Sequence, residues 1–342
     1  MKPRFVDSIE NLHAELPRNF TAKQNDLISI QMSMNIDPHG DNPIVTTSGI
    51  SNVISKSSND QLERMYCFVR IRPLLPQEKH EKCAVNTTNR EKLLLYYKDS
   101  NLQYKFDQVF NDRSSQKDIF AEFKLYIKKL FSGRSCTVMA YGQTGSGKTH
   151  TMFGMDSETA KQFERKNREK QSIVPRHSNS PPRNAHQRTE VEINIEQDEF
   201  KMGLIPRISH YIFDLIRRTQ INARVTLSFF QIYKEKVYDL LNNGNPKILH
   251  LRESTYDGYL IEGLTTYECS AYEEALGLML KGEENRIIRE TGMNLKSSRA
   301  HTCMQVKLEI TLNNGKVLRS TLDLCDLAGS ERYNAEKLGK DH

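Results

Sequence analysis

The chain has 342 residues, 37% of them hydrophobic, with 49 Lys and Arg against 43 Asp and Glu, a formal charge of +6 and a pI near 8.8. That length holds one large domain or two modest ones, and the apolar share builds a real core once polar stretches are set aside. No apolar run approaches the roughly 18 residues of a membrane span, and the amino-terminal residues lack the apolar block of a secretory signal, so a cytosolic protein is expected. Six cysteines (Cys67, Cys83, Cys136, Cys269, Cys303, Cys325) are scattered without a CxxC, which suggests neither a disulfide framework nor a zinc site. The basic balance favours acidic partners only weakly, and nucleic acid and an acidic protein surface both satisfy it.

Residues 1–64 are polar (SGISNVISKSSND), with no helical or heptad period, and read as a mostly disordered extension. From Tyr66 the pattern changes: YCFVRIRPLL reads as a strand closed by Pro73, and TVMAY (137–141) as a second strand bounded by glycine. Continuous apolar strands of this kind suit a sheet covered on both faces. Residues 155–202 contain NSPPRN and few large apolar groups. Residues 161–188 carry eight Lys and Arg against two Glu, and 190–199 carry five acids. This charge-segregated stretch is expected to be a mobile surface insertion.

Further strands are expected at VTLSFFQIY (225–233), CMQVKLEITL (303–312) and VLRSTLDLCD (317–326), the last two joined as a hairpin through Asn-Asn-Gly at 313–315. SAYEEALGLMLKGEENR reads as a helix opened by a capping box of Ser270 and Glu273. The alternation of strands and helices around a mixed sheet implies an α/β sandwich.

GQTGSGKT follows the strand TVMAY and satisfies GxxxxGK[ST]. In such a cradle Gly142, Gln143, Thr144, Gly145, Ser146 and Gly147 turn consecutive N–H groups toward phosphate oxygens and the following helix adds its positive end. Lys148 reaches the β and γ phosphates, and the Thr149 hydroxyl ligates Mg²⁺. LDLCDLAG then offers a sensor of the γ phosphate: Asp326 would hold Mg²⁺ through water, and the Gly329 N–H would bond the γ phosphate. Taken alone, DxxG is equally the pattern of an Asp opening a turn after a core strand. NLKSSRAH (294–301) places two hydroxyls, an arginine and a histidine in one loop, which reads either as a second sensor or as an exposed Ser-rich cap. Arg299 and Glu331 are available as an ion pair closing the two loops over the nucleotide.

Together these residues resemble the kinesin motor domain. The resemblance runs from about Tyr66 to Glu331, with RIRP at 70–73, AYGQTGSGKTHTM at 140–152, SFFQIYKEKVYDLL at 228–241, NLKSSRAH and DLAGSE in the family's order. It implies a P-loop NTPase fold with a central mixed, mostly parallel sheet and helices on both faces, and a microtubule-dependent ATPase using ATP and Mg²⁺. It implies microtubules as the partner, with no nucleic acid and no membrane insertion, and a cytoplasmic, cytoskeletal location. Arg70, Arg72 and Pro73 then look like adenine and ribose contacts, with His150 beside the base; a surface-charge role on an edge strand is the alternative for the two arginines. Ser297 and Ser298 look like the first switch's hydroxyls, Ser298 on Mg²⁺ together with Thr149 and Asp326. Ala300 departs from the pattern, where the family usually has serine. Residues 247–264 resemble a segment that touches tubulin, through Lys247 and Arg252 or as solvated loop charge.

Only 11 residues follow Glu331. The resemblance therefore implies a motor domain over 65–342 that is incomplete at its carboxyl end, lacking the helix, basic loops, final strand and neck linker that follow the second switch in the family. The expectation is a chain that binds Mg-ATP with little microtubule-stimulated turnover, and whose uncovered sheet is prone to aggregate. A non-motile ATP-binding fragment or regulatory module is the alternative. A P-loop GTPase would share both phosphate motifs, but NKxD is absent from the sequence.

Overall fold

In the computed structural model the described residues are 27–35 (backbone), 64–78, 80, 84–97, 100–154, 201–242, 248–254, 258–292 and 299–331. The strands are β1 (Leu27–Asn35), β2 (Arg64–Ile71), β3 (Val85–Asn89), β4 (Lys92–Tyr97), β5 (Ser100–Lys105), β6 (Gln108–Phe110) and β7 (Ser135–Tyr141). They continue with β8 (Ala223–Tyr233), β9 (Lys236–Asp239), β10 (Ile248–Ser254), β11 (Gly258–Glu262), β12 (Tyr267–Cys269), β13 (His301–Thr311) and β14 (Val317–Asp326). The helices are α1 (Gln116–Leu130), α2 (Lys148–Met152), α3 (Leu204–Thr219) and α4 (Tyr272–Gly292). Among the described residues no helix is long and apolar enough to cross a membrane.

Local chemistry accounts for these elements. Helix α1 opens on Ser115, whose hydroxyl accepts from the Asp118 N–H while the Asp118 carboxylate accepts from the Ser115 N–H, a reciprocal cap. Its buried residues Ile119, Phe120, Phe123, Ile127 and Leu130 recur at three and four positions, forming one apolar stripe. Helix α4 begins one residue later than expected: the Ser270 N–H donates to Glu274 at 2.7 Å, so Glu274 rather than Glu273 closes the cap. The Asn-Asn-Gly turn delivers the expected hairpin, with β13 and β14 paired from Thr302–Asp326 to Thr311–Val317.

The strands form an 11-stranded mixed sheet in the order β11-β10-β9-β8-β13-β14-β7-β1-β2-β6, with β12 on β8; β3, β4 and β5 form a separate small sheet. The sheet is mixed as expected, but only β7–β14 and β2–β6 pair in parallel. Hairpins supply many of the antiparallel pairs. Among the described residues, the four helices share one face of the sheet. Residues of all four helices pack into one cluster with Val138, Leu227, Phe229, Met304 and Leu324, whereas the opposite face of β8 and β13 carries Phe230, Val237, Leu249 and Cys303 with no helix residue among those described. The crossovers explain this. The connections from β6 to β7 and from β7 to β8 join parallel strands and step the same way along the sheet, so right-handed crossings put their helices on the same side.

Two findings concern segments expected to lack structure. Within the extension, Leu27–Asn35 is a strand, antiparallel to both β2 and β7. It satisfies backbone groups on both sides at once, and its sequence LISIQMSMN alternates Ile28, Ile30, Met32 and Met34 with polar residues, the period of a strand. Residues 155–200 of the insertion lie outside the described residues, but its two ends meet: the Gly203 N–H donates to the Phe153 carbonyl at 2.8 Å. Gly154 there has φ +81, and a Cβ would collide with the backbone of Lys201 and Gly203. Gly154→Val is therefore expected to destabilise the fold by roughly 3 kcal/mol or more, read from denaturant midpoints. Equal stability would show that the ends need not meet.

Candidate functional site

The loop from Gly142 to Gly147 leaves the end of β7 and turns directly into α2. Gly147 has φ 99 at the start of α2, a left-handed backbone that admits the sharp entry. Helix α2 has only 5 residues, so the cradle relies on its backbone N–H groups and Lys148 more than on a helix dipole. Lys148 is buried, and its Nζ donates to the carbonyls of Gly142 at 3.0 Å and Gln143 at 2.9 Å. Burial lowers its pKa, against the opposing charges of Asp326 and Glu331.

Asp326 ends β14 beside the cradle, and Thr149 Oγ1 donates to its Oδ2 at 2.6 Å. Burial raises its carboxyl to about 6, partly offset by the Thr149 hydrogen bond and the Lys148 charge. Its other oxygen, Oδ1, is buried with no hydrogen-bond partner among the described residues. An unspent carboxylate oxygen beside a hydroxyl oxygen suits a hard divalent cation, and the neighbouring Lys148 ammonium suits the phosphate such a cation accompanies, so these residues fit Mg²⁺.

The chain after β14 continues into the cradle. The Leu327 N–H donates to the Ala140 carbonyl at 3.2 Å, and the Ser330 N–H to the Gly142 carbonyl at 3.0 Å. Glu331 accepts from the Thr144 N–H at 2.9 Å and from the Thr144 hydroxyl. Gly329 fits because a Cβ there would collide with the Glu331 carboxylate and the Thr144 hydroxyl. Burial pushes the Glu331 carboxyl up, but the Thr144 bonds and Lys148 outweigh it and hold the group below the ordinary carboxylate range.

Glu331 bonds the cradle itself, through the outward N–H and hydroxyl of Thr144. The two loops also meet at His301, whose Nδ1 accepts the Ala328 N–H at 3.2 Å. Ser297 and Ser298 lie outside the described residues; Arg299 is half-buried and Ala300 buried at the entry to β13.

On the other side, Arg70 is buried inside the sheet, since β2 is flanked by β1 and β6, which sets aside a surface-charge role. Its Nη1 donates to Gln116 Oε1 at 3.0 Å and Thr151 Oγ1 at 2.9 Å. Arg72 is also buried and makes a two-pronged pair with Glu78, whose carboxyl is driven down to about 2 by the Arg72 hydrogen bonds. Pro73 and His150 are exposed.

Gln116 and Glu78 were not singled out from the sequence, because each acts through a distant partner. Gln116 Nε2 donates to the His150 carbonyl at 2.6 Å while its oxygen takes Arg70, tying β2, α1 and α2 at one buried amide. Gln116→Ala would orphan the Arg70 donor and the His150 carbonyl, each worth ~1–3 kcal/mol. We expect it to weaken ATP binding about tenfold while sparing inorganic tripolyphosphate. Equal loss for both ligands, by calorimetric titration, would mean general damage to the cradle.

With this geometry in place, comparison with known proteins is informative. Residues 70–342 match the family model of the kinesin motor domain. Kinesin-related protein 5 of Dictyostelium discoideum is 34% identical over 277 residues, covering 79% of this chain and 24% of that protein. Kinesin-like protein 3 of Schizosaccharomyces pombe is 31% identical over 272 residues, covering 78% of this chain and 42% of that protein. A solved structure of a fast kinesin, described with its ATPase mechanism and microtubule interactions, superposes with a TM-score of 0.61 at 26% identity, covering 80% of this chain and 66% of that one. The chain thus spans between a quarter and under half of these two relatives. Motif order, P-loop geometry and family match agree: the chain belongs to the kinesin motor domain family.

Proposed function

We propose that the chain is a kinesin-type ATPase that binds Mg-ATP in the 142–149 cradle, hydrolyses it, and passes the loss of the γ phosphate to a microtubule-binding surface. Carrying this reading is the physical tie between the cradle and the loop 327–331, made by Ser330 on Gly142 and Glu331 on Thr144. A ligand phosphate entering the cradle competes with the Glu331 carboxylate for the Thr144 donors. The loop therefore sits differently with triphosphate, diphosphate or neither, which is the requirement for a sensor.

The chain's own residues have separable tasks. Lys148 exchanges its two loop carbonyls for phosphate oxygens, and the cradle N–H groups orient the phosphate chain. Thr149 and Asp326 would hold Mg²⁺, which would neutralise phosphate charge. Gly329, whose lack of a side chain lets Glu331 and Thr144 close on the loop, would offer its N–H to the γ phosphate, and Arg299 with Ser297 and Ser298 would complete the water-positioning side. Arg70, Gln116 and Arg72 fix the rim where Pro73 and His150 meet the adenine. The exposed hairpin β10–β11, with Leu251, Tyr259 and the Arg252–Glu262 pair at its surface, is proposed to contribute to the microtubule face.

Steady-state ATPase assays with and without polymerised tubulin test this. Mg-dependent ATP turnover that tubulin polymer accelerates is the expected result. ATP binding without stimulation would support the non-motile alternative, and tight GTP binding without ATP binding would overturn the assignment.

A further inference from the structure

The hairpin of β13 and β14 carries a pair of side chains that the nucleotide chemistry does not use. Cys303 and Cys325 are directly opposed across the ladder, and the Cys325 Sγ donates to the Cys303 Sγ at 3.1 Å. Opposed Cα atoms in an antiparallel pair lie about 4.5 or 5.5 Å apart. Both spacings fall inside the ~4.4–6.8 Å that a disulfide spans, and a bond of ~2.05 Å asks the sulfurs to close by about 1 Å. Cys303 is buried against Phe230, Val237 and Leu249, while Cys325 is partly exposed on the same helix-free face. The two thiols therefore have a buried and a reachable member already in contact.

We propose that Cys303 and Cys325 form a reversible thiol–disulfide site whose oxidant is a hydroperoxide, and that the bridge clamps the last turn of β14 immediately before Asp326. The Cys325 sulfur attacks the peroxide oxygen, the O–O bond breaks, and Cys325 becomes a sulfenic acid as water or an alcohol leaves. The Cys303 sulfur then attacks the Cys325 sulfur; the sulfenic hydroxyl departs as water with the Cys303 proton, and the S–S bond remains. Two electrons pass from the sulfurs to the O–O bond, so one hydroperoxide is consumed per bridge. The neighbouring Cys325 thiol and burial hold the Cys303 thiol well above its ordinary range, which leaves the more exposed Cys325 sulfur to meet the peroxide first. In reducing surroundings the pair rests as thiols and closes only under oxidant.

The clamp acts on a sensitive position. Leu327, Ala328 and Ser330 hydrogen-bond Ala140, His301 and Gly142, so the loop is anchored on the cradle and β13 directly beyond the end of β14. A covalent tie at Cys325 stiffens the strand end from which the loop departs.

The test exposes the full native chain to hydrogen peroxide, blocks free thiols, and maps non-reduced peptides by mass spectrometry. Expected are a 303–325 linked peptide, loss of two alkylatable thiols at every protein concentration, and reversal by dithiothreitol. In Cys303→Ser the bridge is absent and dimedone traps a sulfenic acid at Cys325; should that variant fail to fold, wild-type mapping alone decides. Amide exchange at 327–331 is expected to slow several-fold in the bridged form. The site is overturned if both cysteines stay alkylatable, if Cys325 passes to sulfinic acid unbridged in the wild type, or if the bridge joins two chains. Unchanged exchange in a bridged chain would overturn the clamp. Neither readout depends on nucleotide, so a failed ATPase assay leaves the proposal untouched.

Discussion

Lys148→Ala is expected to lower Mg-ATP affinity by on the order of 100-fold or more, since two hydrogen bonds from a charged donor are worth ~1.5–3 kcal/mol each and ~1.4 kcal/mol is tenfold. Nζ sits inside the loop, bound to the Gly142 and Gln143 carbonyls. The ammonium therefore maintains the curl that keeps the N–H groups turned inward, and alanine removes both this support and the phosphate contact. Lys148→Arg separates the two effects. It keeps the charge, but its planar fork replaces a compact three-donor head, so stability is expected to recover more than affinity. Fluorescent-nucleotide titration beside thermal melts reads both quantities; wild-type affinity in Lys148→Ala would remove the cradle from the mechanism.

Asp326→Asn is expected to move stability and ligand binding in opposite directions. The folded carboxyl, raised by burial to about 6, keeps a proton that the unfolded chain, with an Asp near 3.9, gives up. The folded state thus binds more protons between those values, and stability falls as pH rises through them. Above pH 7 the penalty amounts to about 3 kcal/mol at most, and it is roughly halved at pH 5. Asparagine carries no such penalty, so the variant should be the more stable one at pH 8, with the gap shrinking toward acid. It should also lose the Mg-dependent part of nucleotide affinity, which in the wild type grows as pH climbs through about 6. Urea melts at several pH values check the first statement, and magnesium titrations the second. A pH-independent gap would mean that Asp326 is charged throughout.

The cradle was legible because its requirements are local: glycines, a lysine and a hydroxyl in fixed sequence curl the backbone whatever lies around them. The β13–β14 hairpin was legible for the same reason, and its turn at Asn313–Gly315 sets the register that brings Cys303 opposite Cys325. Helix α1 escaped notice although Ser115 and Asp118 write a cap into the sequence. Glu274 in place of Glu273 is a one-residue shift that local patterns do not resolve. Gln116, Glu78 and the Glu331–Thr144 bond were hidden because their meaning lies in partners far along the chain. The count of parallel pairs depended on β1, whose alternation of Ile28, Ile30, Met32 and Met34 with polar residues is a strand signal set within a long polar stretch.

That strand has a consequence for the order in which the molecule assembles. Asn35 pairs with Ser135 and Leu27 with Ile71, so β1 is the earliest described element to be synthesised yet cannot dock fully until β7 follows. Until β7 emerges it has a partner on one side alone, and the facing edges of β2 and β7 stay open to other chains. The insertion of Leu27–Asn35 closes both edges at once, so a nascent chain in which it has not yet docked carries two strands open to wrong pairing.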